Sequence, residues 1–132
     1  MTATDSALLL FAHGARDPAW ARPFEAITAQ LRAKAPQRRV ELAFLELMSP
    51  DLPTAATALA EAGLREVTIV PLFLGAGGHV RRDLPPLMER LRAEHPQVRW
   101  HLTPSIGESP VVVAAIAAAT LSLADEAAGG GA

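Results

Sequence analysis

The sequence predicts an α/β fold: a single three-layer αβα domain built on a four-stranded parallel sheet. Three observations predict it. Short apolar runs alternate four times with segments of helical periodicity, which implies parallel strands joined by helical crossovers. The first run is apolar without a break, as in a strand buried on both faces. The 132 residues suit one domain, which can bury roughly two-thirds of the surface its unfolded chain exposes.

Residues 7–12 (ALLLFA) form the first strand, closed by His13-Gly14. Pro18 opens a helix, and Trp20, Phe24, Ile27 and Leu31 lie along one helical face until Pro36 ends the segment. Residues 40–45 are the second strand, with Glu46 at its end. Pro53 stands near the start of a second helix that carries Leu59 and Ala62 and stops at Gly63. Residues 66–70 begin the third strand; Pro71 lacks an amide hydrogen, so the ladder is expected to weaken there. Residues 72–78 leave the sheet as a loop. A third helix after His79 carries Leu84, Leu87, Met88 and Leu91 and stops by Pro96. Residues 98–102 are a short fourth strand, placed at an edge because charged residues interrupt it. Ser109-Pro110 starts an Ala-rich helix with Val112, Ile116 and Leu123. The domain is expected to span 1–126, with 127–132 a disordered Gly/Ala tail.

Composition narrows the function classes. Half of the residues are hydrophobic and 20% are charged, as in an ordinary soluble protein. Cysteine is absent, which excludes disulfides, thiolate metal sites and cysteine nucleophiles together. The formal net charge of -2 gives no push toward nucleic acid. The apolar run 7–12 is too short for a signal or a membrane span. A cytoplasmic protein with no nucleic-acid and no membrane partner is expected.

His13, Glu46 and His79 each follow a strand, with successive members 33 positions apart. In a parallel sheet all three positions share the carboxyl edge, outside which open α/β sheets bind ligands where strand order reverses. With strand order 2-1-3-4, that reversal lies between strands one and three, beside His13 and His79. An isolated strand-end histidine is more often a capping or packing residue; convergence of three such groups favours a site. Two imidazoles and a carboxylate suit a borderline divalent ion such as cobalt, iron, nickel or zinc. Two histidines leave coordination positions open, which suits a protein that hands its metal on; a structural site would usually be closed by four ligands.

Gly75-Ala76-Gly77-Gly78 puts three glycines in four residues, so backbone can approach a ligand closely. The lysine and Ser/Thr of a phosphate loop are missing, and the spacing does not fit a dinucleotide fingerprint. A flat, bulky ligand fits better. Arg16, Arg81 and Arg82 flank the two histidines and could attract a polyanion and fork onto its carboxylates.

Three segments resemble the class II chelatases, which include sirohydrochlorin cobaltochelatases and ferrochelatases. They are Phe11-Ala12-His13-Gly14-Ala15-Arg16-Asp17-Pro18, then Phe44-Leu45-Glu46, then Pro71-Leu72-Phe73-Leu74-Gly75-Ala76-Gly77-Gly78-His79-Val80 with Asp83-Leu84-Pro85. The resemblance covers about residues 7–120, and the last block is its most specific part. It implies a chelatase-like fold of strand order 2-1-3-4 and insertion of a divalent metal into a tetrapyrrole, for cobalamin or siroheme biosynthesis. Cobalt is favoured, with iron and nickel as alternatives. It implies His13 and His79 as catalytic residues and metal ligands, with Glu46 a third ligand or a macrocycle contact. Phe73, Leu74, Gly75, Ala76, Gly77 and Gly78, with Arg16 and Arg81, would bind the substrate. The metal is then a substrate, and no permanently bound cofactor is expected. Larger chelatases of this kind have two lobes facing a cleft, so a homodimer of this single lobe is expected. Ala15 and Ser109 depart from the family pattern, where Ser and His respectively are common.

Two competing readings differ in chemistry. A non-catalytic metal or tetrapyrrole carrier would bind without speeding insertion. A phosphohistidine phosphatase needs Arg immediately before its nucleophilic His, and Ala12 stands there.

Overall fold

A computed structural model describes residues 5–75 and 77–130 of the chain, with the His79 side chain outside that description. Four strands, β1 (Ser6–Ala12), β2 (Arg39–Phe44), β3 (Glu66–Pro71) and β4 (Arg99–Leu102), form one parallel sheet of order β2-β1-β3-β4. Helices α1 (Arg22–Lys34), α2 (Leu52–Glu61) and α3 (Gly78–Glu94) connect them, and α4 (Pro110–Gly130) follows β4. The expected α/β class, strand count and order all hold.

Alternation along β1 divides the interior between the two faces. Ala7, Leu9 and Phe11 point into the main core, where Leu52, Ala56 and Leu59 of α2 meet Val80, Met88 and Leu91 of α3. Ala12 turns to the opposite face and joins Ala21 and Phe44, with Trp20 and Phe24 packed beside them. Arg32 fixes α1 against β2 by donating through Nε and Nη2 to the Val40 carbonyl, at 3.0 and 2.7 Å.

Several local expectations are corrected. Pro18 opens a 3-10 turn, Pro18–Ala21, capped by the Asp17 carboxylate, which accepts from the Ala19 amide at 2.9 Å. The α-helix proper begins only at Arg22, with Pro23 in its first turn. A proline further inside the helix would clash with the carbonyl four residues back, so Pro23 fixes where α1 can start. Pro71 does not weaken the ladder toward β1: it pairs with Phe11, and the Leu72 amide donates to the Phe11 carbonyl at 2.7 Å. Residue 71 therefore faces the other side, where the β4 pairing has already ended at Leu102.

The tail is also corrected. Residues 127–130 are the last turn of α4, because an alanine-rich sequence propagates a helix already nucleated upstream. Residues 131–132 lie outside the described residues. Within α4, Pro110–Gly129 is long and apolar enough to cross a bilayer by length and composition. The expectation of no membrane partner rests on residues 7–12 and overlooks this stretch.

Candidate functional site

Three strand ends build the rim. Beyond the β1–β2 pairing, the Leu45 amide donates to the Ala12 carbonyl at 2.8 Å and the Glu46 amide to the His13 carbonyl at 3.0 Å. His13 and Glu46, 33 residues apart in sequence, are thus joined through their backbones, and both side chains are exposed. Gly14 makes that approach possible. Its φ is +94°, and a Cβ there would sit 1.8 Å from the Glu46 carbonyl oxygen. No other residue type fits without moving the β2 end.

Phe73 sets the His13 ring. The two ring centroids lie 4.2 Å apart at an interplanar angle of 35°. Phe73 is itself buried at 2% exposure and packs on Phe11, centroid to centroid 5.6 Å. Sequence reasoning placed Phe73 against the substrate; its ring is occupied by His13 and Phe11. Leu74, by contrast, is 72% exposed, and Gly75 is exposed beside it. Ala76 lies outside the described residues.

Gly77 is the N-cap of α3, without a side-chain cap, and Gly78 and His79 open its first turn. The Arg81 amide donates to the Gly77 carbonyl at 3.1 Å, closing that turn. Arg16, Arg81 and Arg82 are exposed. Uncapped amides at a helix N-terminus favour negative charge nearby, which adds to the three arginines. Pro85 and Pro86 lie inside α3 and remove two donors from its ladder. They weaken the link between the turn that carries His79 and the rest of the helix.

Glu46 also lines a hollow of about 430 Å³ with Leu45, Leu47, Met48, Ser49, Pro50, Asp51 and Thr54. Among the described residues, no three His, Asp or Glu side chains are grouped as a metal ion requires.

The β4–α4 connection seats on the loop after β3, a contact that the sequence reading missed. Gly107 donates its amide to the Phe73 carbonyl at 3.0 Å, and a Cβ on Gly107 would fall 1.9 Å from the Leu74 carbonyl oxygen. The connection itself is locked by a capping box between Ser105 and Glu108. Ser105-Ile106-Gly107-Glu108 carries that signature in the sequence, so the turn could have been found; its contact with the Phe73 loop could not.

Residues 7–122 match the family model described as CbiX. The chain belongs to the CbiX family. A CbiX protein from Marinobacter aquaeolei VT8, associated with cobalamin (vitamin B12) biosynthesis, shares this fold at a TM-score of 0.81 and 33% identity. That likeness covers 92% of this chain and 98% of that one. The sirohydrochlorin chelatase SirB from Bacillus subtilis subspecies spizizenii, solved in complex with cobalt, is similar at a TM-score of 0.74 and 28% identity, over 89% of this chain and 50% of that one. A sirohydrochlorin cobaltochelatase of Methanopyrus kandleri is 33% identical over 82 residues, 62% of this CbiX chain and 57% of that protein. The sirohydrochlorin ferrochelatase of Bacillus subtilis is 29% identical over 110 residues, 83% of this chain and 42% of that protein. The chain thus spans roughly half the length of the curated relatives it matches.

Proposed function

We propose that this CbiX-family chain is a sirohydrochlorin chelatase that inserts a divalent metal into the tetrapyrrole, with Co2+ favoured over Fe2+ and Ni2+, acting in the cytoplasm as a homodimer. The observation that carries the reading is the His13 arrangement. An exposed imidazole is stacked on buried Phe73, and its peptide is bonded to that of Glu46; His79 stands in the first turn of α3, which follows the neighbouring strand β3. CbiX membership and the metals named with SirB and the cobaltochelatases support the substrate class.

Insertion exchanges one divalent ion for two pyrrole N–H protons. A neutral imidazole accepts a proton near pH 7, but the same lone pair cannot bind metal at that moment. The steps are therefore sequential: His13 and His79 hold the ion, and the imidazole released as the metal moves to the ring nitrogens takes a proton. Glu46, exposed and fixed to His13 through the backbone, is placed to take the other. Arg16 and Arg81 pair with the carboxylates of the macrocycle, and Leu74 and the glycines after it offer a surface for its flat face.

The test is the rate of metal uptake into sirohydrochlorin followed by visible absorption, with cobalt, iron and nickel in separate anaerobic reactions. The expected result is insertion well above the protein-free rate, fastest with cobalt. Binding of pigment or metal with no acceleration would make the protein a carrier instead.

A further inference from the structure

The sheet face that carries α1 is only half covered. Leu8 of β1, Val70 of β3, Leu72 and Leu74 line an apolar groove of about 600 Å³ with Phe24, Ile27 and Leu31 of α1, closed at one end by Ile106 and Val112. Ile27 is 42% exposed although it belongs to the apolar stripe of α1. Since α2 and α3 both pack on the other face, the α1 face lacks a second helix. The missing layer has an obvious counterpart in α4. Its Val111, Val113, Ile116, Leu121 and Leu123 are all exposed, and residues 110–124 carry no charge. A helix that is apolar all round is a buried helix or a membrane span.

The chain's own α4 meets that groove only at its start, where Val112 lines one end beside Ile106; Ile116, Leu121 and Leu123 further along the helix stay exposed. The Ser105–Glu108 capping box and the seat of Gly107 on Leu74 fix the direction in which α4 leaves the sheet. We propose that two copies exchange α4, so that the helix of each fills the groove between α1 and the sheet of the other. The uncharged residues 110–124 of α4 span roughly 22 Å, and half the surface of a cylinder about 10 Å wide comes to roughly 350 Å². Two helices in two grooves then bury roughly 1,400 Å² in all, within the standard range for stable interfaces. Neither surface brings a charge that would have to be desolvated. Leu74 belongs both to the groove and to the loop after Phe73, so the exchanged helix also braces the site loop of its partner.

This inference rests on the reading that two copies associate, and the experiment separates the two. Wild-type chain is first sized by light scattering at micromolar concentration. The chain has no cysteine, so Ile27→Cys in the groove and, in a separate chain, Ile116→Cys, Leu121→Cys or Leu123→Cys on α4 are each unique. An Ile27→Cys chain is refolded together with an α4 variant and treated with a short bis-maleimide. Helix exchange predicts a dimer, with a covalent product joining one groove variant to one helix variant. A double variant of Ile27→Cys with Ile116→Cys is then expected to crosslink between chains. Crosslinking within one chain would show that α4 folds back on its own sheet and would overturn the exchange. A dimer with no groove-to-helix product would overturn the exchange but leave association intact. A monodisperse monomer would overturn both, whereas flotation of the wild-type chain with liposomes would make a bilayer the occupant of α4's apolar surface and overturn the exchange.

Discussion

At the residue scale, the site depends on two contacts that hold His13. Gly14→Ala places a methyl group against the Glu46 carbonyl at a positive φ. The backbone conformation alone costs about 1–3 kcal/mol, so the denaturation midpoint is expected to fall, and metal insertion with it. Phe73→Leu keeps an apolar side chain in the core but removes the ring under His13. A loss of roughly 1–2 kcal/mol, ordinary for a core substitution, together with a larger loss of insertion rate, is expected. Equal activity in folded Phe73→Leu would show that the stack does not position His13. The positions of His13 and Glu46 at strand ends were legible in the sequence, because parallel strands bring their carboxyl ends to one edge. The Phe73 stack was not, because ring orientation follows from which neighbours share the core.

At the element scale, caps and prolines decide where helices begin. The Asp51 carboxylate caps α2 by accepting from the Thr54 amide at 2.9 Å. Hydrogen bonding to Thr54 holds its pKa below the ordinary aspartate value. A carboxylate with a depressed folded pKa stabilises the fold above its unfolded pKa, near 4, and that contribution disappears as pH falls through the lower folded value. Asp51→Ala is therefore expected to lose about 0.5–2 kcal/mol at neutral pH and to show a smaller decline than wild type between neutral pH and about pH 3, measured by thermal melts. Pro85→Ala restores a donor within α3; amide exchange in the turn holding His79 is expected to slow, and unchanged exchange would show that the prolines do not loosen it. Strand and helix periodicity was readable along the chain, and so was the order of elements. The α1 start was misplaced because Pro18 opens a 3-10 turn, and Pro23, which can stand only in the first turn of an α-helix, sets the start of α1 one turn later. The end of α4 was misplaced because Gly and Ala composition does not reveal how far a nucleated helix extends.

At the scale of the whole molecule, the sheet order turns three distant segments into one rim, while α4 leaves a face of the same sheet uncovered. The order of strands was legible through the chelatase-like motifs; the direction of α4 was not, since it depends on how the β4–α4 connection seats on the Phe73 loop. If two copies share the fold's missing layer, folding is coupled to association, and the melting temperature is expected to rise with protein concentration across the micromolar range. A melting temperature independent of concentration would point to a self-sufficient monomer. The claim on which the account turns is that His13 and His79 act together in metal insertion. The direct measurement is the insertion rate into sirohydrochlorin of folded His13→Ala and His79→Ala, each beside wild type. The account predicts that either substitution alone removes most of the protein-dependent rate; rates near wild type in both would contradict it.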